Sequence, residues 1–153
     1  MAQNEAKLGL TPRLVGSLYT EAMVLADEAR FYFDRLGREE RDRLDPVLRV
    51  GFSCESLKVT TRLMHIIAWL LTQRAVEAGE LSSAQARRPA RRLGTEPESD
   101  DAVVAQLPHS ARALVSASRD LFARVRRLDE VGPEVEPLPS PARSLLSRLE
   151  RSF

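Results

Sequence analysis

The chain is poor in the residues that would fix a fold or a chemistry by themselves. Aromatics make up only 5% of its 153 residues. A core must therefore be built from Leu, Val, Ile and Ala, which favours helices over a β-sandwich drawn from aromatic and β-branched residues. There is one cysteine, Cys54, so no internal disulfide framework is available and a reducing compartment is indicated. The formal net charge is +1, with no basic excess to drive binding to a nucleic-acid backbone. The N-terminal stretch MAQNEAKLGLTPRL lacks the basic region and long apolar run of a secretory signal, which leaves the cytoplasm as the default location. No repeat of 20–50 residues is visible. No Walker A, GxGxxG, HExxH or GxSxG pattern occurs. Asp45, Glu55 and Glu77 are not paired as a di-metal helix bundle would need. Enzymatic catalysis, a cofactor and a metal site are therefore without support.

What is present is helix signal, strongest from Glu55 to Glu80. That stretch has no proline and only one glycine, Gly79, near its end. From Leu63 to Leu71 it reads LMHIIAWLL, where only His65 is not apolar. At roughly 100° per residue such a run covers every side of a helix. It is too short to span a membrane, which takes about 20 apolar residues. The expectation is a helix middle packed on most of its circumference. Asp45-Pro46 supplies its start, an N-cap followed by a proline at N1, and Gly79 its stop. The helix carries two apolar stripes. One is Phe52, Val59, Leu63, Ile66 and Leu70; the other is Leu57, Met64, Ile67, Ala68 and Leu71. Two stripes require two sets of partners. Two flanking helices cannot easily supply both, so the further cover is either the short 82–88 segment or a second subunit.

Thr11-Pro12 opens an earlier helix by the same logic. Its apolar residues Val15, Leu18, Ala22, Leu25, Ala29, Tyr32 and Leu36 step by three and four, and Gly37 is the expected stop. A third helix runs from near Pro108 to about Asp129, with Leu107, Ala111, Leu114, Ser118, Leu121, Val125 and Leu128 on one face. Between the second and third helices, Ser82–Gln85 has capping-box spacing. Four arginines (87, 88, 91, 92) and four acids (96, 98, 100, 101) follow. They are expected to neutralise one another in a solvated loop. Pro133, Pro137, Pro139 and Pro141 make an extended linker, ahead of a short amphipathic stretch with Leu145, Leu146, Leu149 and Phe153 on one side. The architecture is all-α: an antiparallel three-helix bundle over residues 12–130, a flexible N-terminus at 1–11, and a flexible Pro-rich C-terminal tail at 131–153.

The bland readings of the conspicuous side chains are structural. His65, with no ligand-type residue at i±3 or i±4, reads as a hydrogen-bonded core histidine, and His109 as an exposed cap. Cys54 reads as a small core residue. Arg62 and Arg74 flank the apolar run; they either present charge at an interface or snorkel to solvent. Trp69 is core or the anchor of a subunit contact, with core ahead. The candidate protein-binding residues are thus Arg62, Trp69 and Arg74, with Leu145, Leu146, Leu149 and Phe153 in the tail.

The segment Glu55–Leu81, ESLKVTTRLMHIIAWLLTQRAVEAGEL, resembles the alphaproteobacterial family of the regulator of CtrA degradation, RcdA. The family pattern E-S-x-x-x-T-T-R-L-M-x-x-x-x-W-L-L-x-Q-R-A-V-x-x-G-E is met at Glu55, Ser56, Thr60–Met64, Trp69–Leu71, Gln73–Val76, Gly79 and Glu80. Weaker matches are LFARVRRLD at Leu121–Asp129 and YTEAM at Tyr19–Met23. The resemblance implies a three-helix bundle that forms homodimers. It implies an adaptor that connects substrates, and further adaptors, to the ClpXP protease primed by a response regulator, with recruitment to a cell pole. It implies neither enzymatic activity nor binding to DNA. The likeness is least in the tail and in the loop at residues 94–101. Against it stand a structural or transcription-associated helical regulator, which duplex-DNA binding would favour, and a small helical enzyme, which stoichiometric metal would favour.

Overall fold

The computed structural model describes residues 10–131 and 141–152; in the last helix, side chains are described only for Leu145 and residues 148–152. The expected frayed start, the Pro-rich linker, the side chain of Leu146 and Phe153 lie outside the described residues. The described chain is all-helical. Three long helices, α1 (Pro12–Phe31), α3 (Pro46–Glu77) and α6 (His109–Val131), pack together as a bundle. Short helices α2 (Gly37–Asp42), α4 (Ser83–Ala86) and α5 (Asp101–Val104) connect them, and α7 (Pro141–Ser152) lies in the tail.

The starts follow the local chemistry. Thr11 Oγ1 accepts from the Leu14 amide and Asp45 Oδ1 from the Leu48 amide, each with proline in the first turn. Both satisfy a backbone donor that the helix leaves without a partner. At the far end of α3, Gly79 has φ +75°. Its amide bonds to Val76 O and the Glu80 amide to Ala75 O, the Schellman pattern that glycine permits.

Gly37 is not the stop that the sequence suggests. α1 continues through a π-helical turn at Tyr32–Leu36 into α2, which ends at Asp42. The turn sets Tyr32 and Phe33 against Phe52 of α3, the Phe33 and Phe52 rings meeting edge to face at 5.4 Å between centroids. A Cβ on residue 37 would stand 2.8 Å from Tyr32 Cε2 and 3.1 Å from Phe52 Cζ. The glycine therefore serves close approach.

α1 runs antiparallel to both partners: Arg74 of α3 sits over the Tyr19 ring, and Arg124 of α6 pairs with Glu21. α3 and α6 are parallel, since Arg62 meets Ser118 and Trp69 meets Asp129. The chain between them must therefore return along the bundle. It does so as a strap, residues 87–108, with Leu93 and Leu107 buried. The core is mostly aliphatic, with four large aromatics, Tyr32, Phe52, Trp69 and Phe122, and one face of α3 supplies Val59, Leu63, Ile66 and Leu70 to it.

Candidate functional site

The strap is held by a charged group inside the bundle. Arg62 is 0% exposed. Its guanidinium donates to Ser118 Oγ on α6 at 3.3 Å, to Pro97 O at 2.9 Å and to Ser99 Oγ at 2.6 Å, and Nε lies 3.2 Å from Glu96 Oε1. Ser99 in turn donates to Glu55 Oε2 at 2.6 Å, and Lys58 pairs with the other oxygen at 3.0 Å. Glu55 is itself 1% exposed. Burial lowers the Arg62 pKa from its ordinary value, and the charges of Glu96 and Glu55 offset part of that shift. Arg126 reaches Glu96 at 2.5 Å, Arg119 bonds Asp101 at 2.7 Å, and Arg92 bonds Asp129 at 2.9 Å. The loop is thus not a solvated, self-neutralised segment. Three of its charges, Arg92, Glu96 and Asp101, pair across to the bundle, and Glu96 gives the buried arginine an acceptor that α3 and α6 alone do not supply.

Arg62 therefore offers no surface to a partner in this conformation: it neither snorkels nor faces an interface. Trp69 is buried, with Nε1 donating to Asp129 Oδ1 at 2.9 Å. Of the three helix candidates, only Arg74 is exposed, its guanidinium 4.2 Å from the centre of the Tyr19 ring. Leu145 and Leu149 of α7 are both exposed. Cys54 is exposed and not a core residue. His65 is half-buried beside Gly94, and its shielded Nδ1 has no hydrogen-bond partner among the described residues.

The face of α3 opposite the core is the unexpected feature. The expectation of a helix packed on most sides fails there. Val47 (79% exposed), Val50 (64%), Leu57 (68%), Met64 (64%) and Leu71 (47%) all stand in solvent. The steps between them are filled by Cys54, Thr61, Ala68 and Ala75, so the whole stripe alternates by three and four over 29 residues. Helix α4 packs on α3 and buries Ala86, but the stripe stays bare. Full burial of a Val, Leu or Met side chain is worth about 1.5–3 kcal/mol, so a partner covering this face would gain several kcal/mol. Beside it, between α1 and α3, lies a groove of about 360 Å³ floored by Phe33, Leu63, Met64 and Ile67, with Arg30 and Asp34 on one rim. Sequence reading finds Leu57, Met64, Ala68 and Leu71 of this stripe. It misses Val47, Val50 and Cys54, whose polar neighbours hide the repeat.

No group of His, Cys, Asp or Glu among the described residues could hold a metal ion. The arrangement is a rigid helical scaffold with bare apolar surfaces, which suits protein contacts. The crystal structure of RcdA from Caulobacter crescentus CB15 is similar at 34% identity and a TM-score of 0.62, covering 76% of this chain and 88% of that one. No curated protein matches the chain. A family described as "protein of unknown function (DUF1465)" matches residues 6–153. With that match over nearly its full length and a solved relative at such identity and coverage, the chain belongs to the RcdA family, DUF1465.

Proposed function

We propose that the chain is an adaptor in regulated proteolysis. It acts as a homodimeric helical scaffold that tethers substrates or further adaptors to the ClpXP protease primed by a response regulator, and its output is controlled removal of cell-cycle regulators. The observation that carries this is the 34% identity to RcdA over 88% of that chain. The bare apolar face of α3 supports it, since a scaffold needs surface for partners. The tail supports it too: a short amphipathic helix with exposed Leu145 and Leu149 is marginal alone and gains order by binding. A tether of this kind raises the local concentration of what it holds. In this reading Leu145, Leu146, Leu149 and Phe153 hold cargo, Arg74 is a surface contact, and Arg62 and Trp69 support the scaffold from within. No described helix is long and apolar enough to cross a membrane. The site of action is the cytoplasm, with recruitment to a cell pole.

The test is capture by a proteolytically inactive ClpXP trap with its priming regulator present. Three backgrounds are compared: full-length chain, no chain, and a chain lacking residues 133–153. Proteins trapped only with the full chain support the adaptor role. A trapped set that is the same with and without the chain overturns it, and full delivery by the truncated chain overturns the role of the tail.

A further inference from the structure

We infer that the bare face of α3 is a two-fold, antiparallel seam: it packs against the same face of a second copy, with the symmetry axis between Thr61 and Met64. The inference rests on the homodimer in the proposed function and adds where and how it forms.

The argument starts from spacing. Apolar positions that alternate by three and four along an exposed helix form the seam of a coiled coil. Here the large side chains Val50, Leu57, Met64 and Leu71 occupy one seam position, and the small ones Cys54, Thr61, Ala68 and Ala75 occupy the other. The large set is exposed along the whole length of the helix. The core residues Phe52, Val59 and Ile66 lie on the opposite side of the helix, so docking at the seam leaves the bundle undisturbed.

The size pattern selects the partner and its direction. In a parallel pair, equal positions meet, so Ala68 would face Ala68 and Leu57 would face Leu57. That leaves voids in some layers and crowding in others, both of which destabilise. In an antiparallel pair centred between Thr61 and Met64, each large residue meets a small one. Leu57 faces Ala68, Met64 faces Thr61, Leu71 faces Cys54 and Val50 faces Ala75. The stripe is therefore its own complement when reversed. That is the requirement for an isologous contact, where residue i meets j and j meets i. The flanks agree: the same register sets Arg74 beside Ser53, not beside a second arginine. An unrelated helix would have no reason to match this order of sizes.

The register gives a size-swap test on the full-length chain. Leu57→Ala and Ala68→Leu each spoil the same two layers, one by a void and one by crowding, and both lie on exposed positions where the bundle itself is insensitive. Each single variant should weaken dimerisation at least about tenfold in sedimentation equilibrium, with unchanged helix content by circular dichroism. The double variant L57A/A68L restores one large and one small residue per layer and should return to within about threefold of the parent. Cys54, the only cysteine, gives the direction. With copper-phenanthroline as oxidant, Leu71→Cys should form an interchain disulfide with Cys54 of the second copy within minutes, while the parent should not. Rapid Cys54–Cys54 linkage in the parent means a parallel seam and overturns the inference. So does a dimer untouched by both single variants, which leaves the homodimer standing but puts it elsewhere. A parent that stays monomeric at tens of micromolar overturns the seam and the homodimer together.

Discussion

Arg62 gives the sharpest test of how the bundle is held. Arg62→Met keeps most of the side-chain volume and removes the charge. It deletes three hydrogen bonds, to Ser118, Pro97 and Ser99, and the ion pair with Glu96. Removing one member of a buried charged group costs about 3–5 kcal/mol, mainly because the remaining charge stays desolvated. Two facts place this case at the lower end. The Glu96 side chain is 22% exposed and can turn to water, and Glu55 keeps Lys58. We expect a loss of about 3 kcal/mol, which for a domain of this size lowers Tm by about 6–12 °C. Urea denaturation at one fixed protein concentration measures it, since dimerisation would otherwise shift the midpoint. Adding Glu55→Gln and Glu96→Gln removes the carboxylates left behind. It should recover at least half of the loss, because a neutral buried set is far cheaper than a half-paired one. Hydrogen exchange should show faster opening at residues 94–100 in Arg62→Met. A loss below about 1 kcal/mol, the size of a surface substitution, with unchanged exchange in the strap, refutes the buried network.

That network also marks where sequence reading stops. The three long helices were legible because their signals are local: an Asp or Thr cap and a proline at N1 open α1 and α3, and a 3–4 apolar rhythm runs within each of the three segments. The strap was not, because nothing local says where Glu96 or Ser99 will find a partner. Their partners are 30 to 44 residues away in sequence, and charge blocks between helices usually stay solvated. One trace was available: Ser118 stands alone among apolar residues on the inner face of α6, and a buried hydroxyl implies a polar neighbour. Gly37 misled for a related reason. Near the end of a periodic stretch, a glycine required for close approach to Tyr32 and Phe52 reads like one that ends a helix. The two stripes of α3 were legible inside the apolar run, and so was the need for two sets of partners. That the second stripe extends to Val47 could be seen only once the core face was known.

Two further outcomes follow from single side chains. Trp69→Phe keeps an aromatic ring in the core but loses the bond to Asp129, whose carboxylate keeps its pair with Arg92. It should cost about 2 kcal/mol by urea denaturation, since hydrogen bonds to charged groups are worth about 1.5–3 kcal/mol; a cost under about 0.5 kcal/mol would place the indole nitrogen in solvent. Tyr32 contributes to the decline of stability in alkali. Burial, then the hydrogen bond to Glu40 and its charge, raise the phenol pKa well above the model-compound value of 10.0. Below pH 10.0 both folded and unfolded chains carry the proton, and the contribution to stability is complete. Above it the unfolded chain gives up its proton while the folded chain keeps it, so stability falls with rising pH by up to about 1.4 kcal/mol per unit. Tyr32→Phe has no proton to lose there. It should start less stable at neutral pH, for want of the Glu40 bond, yet decline more gently between pH 10 and 11. Parallel declines for parent and variant would mean that Tyr32 ionises in the folded state as it does in water.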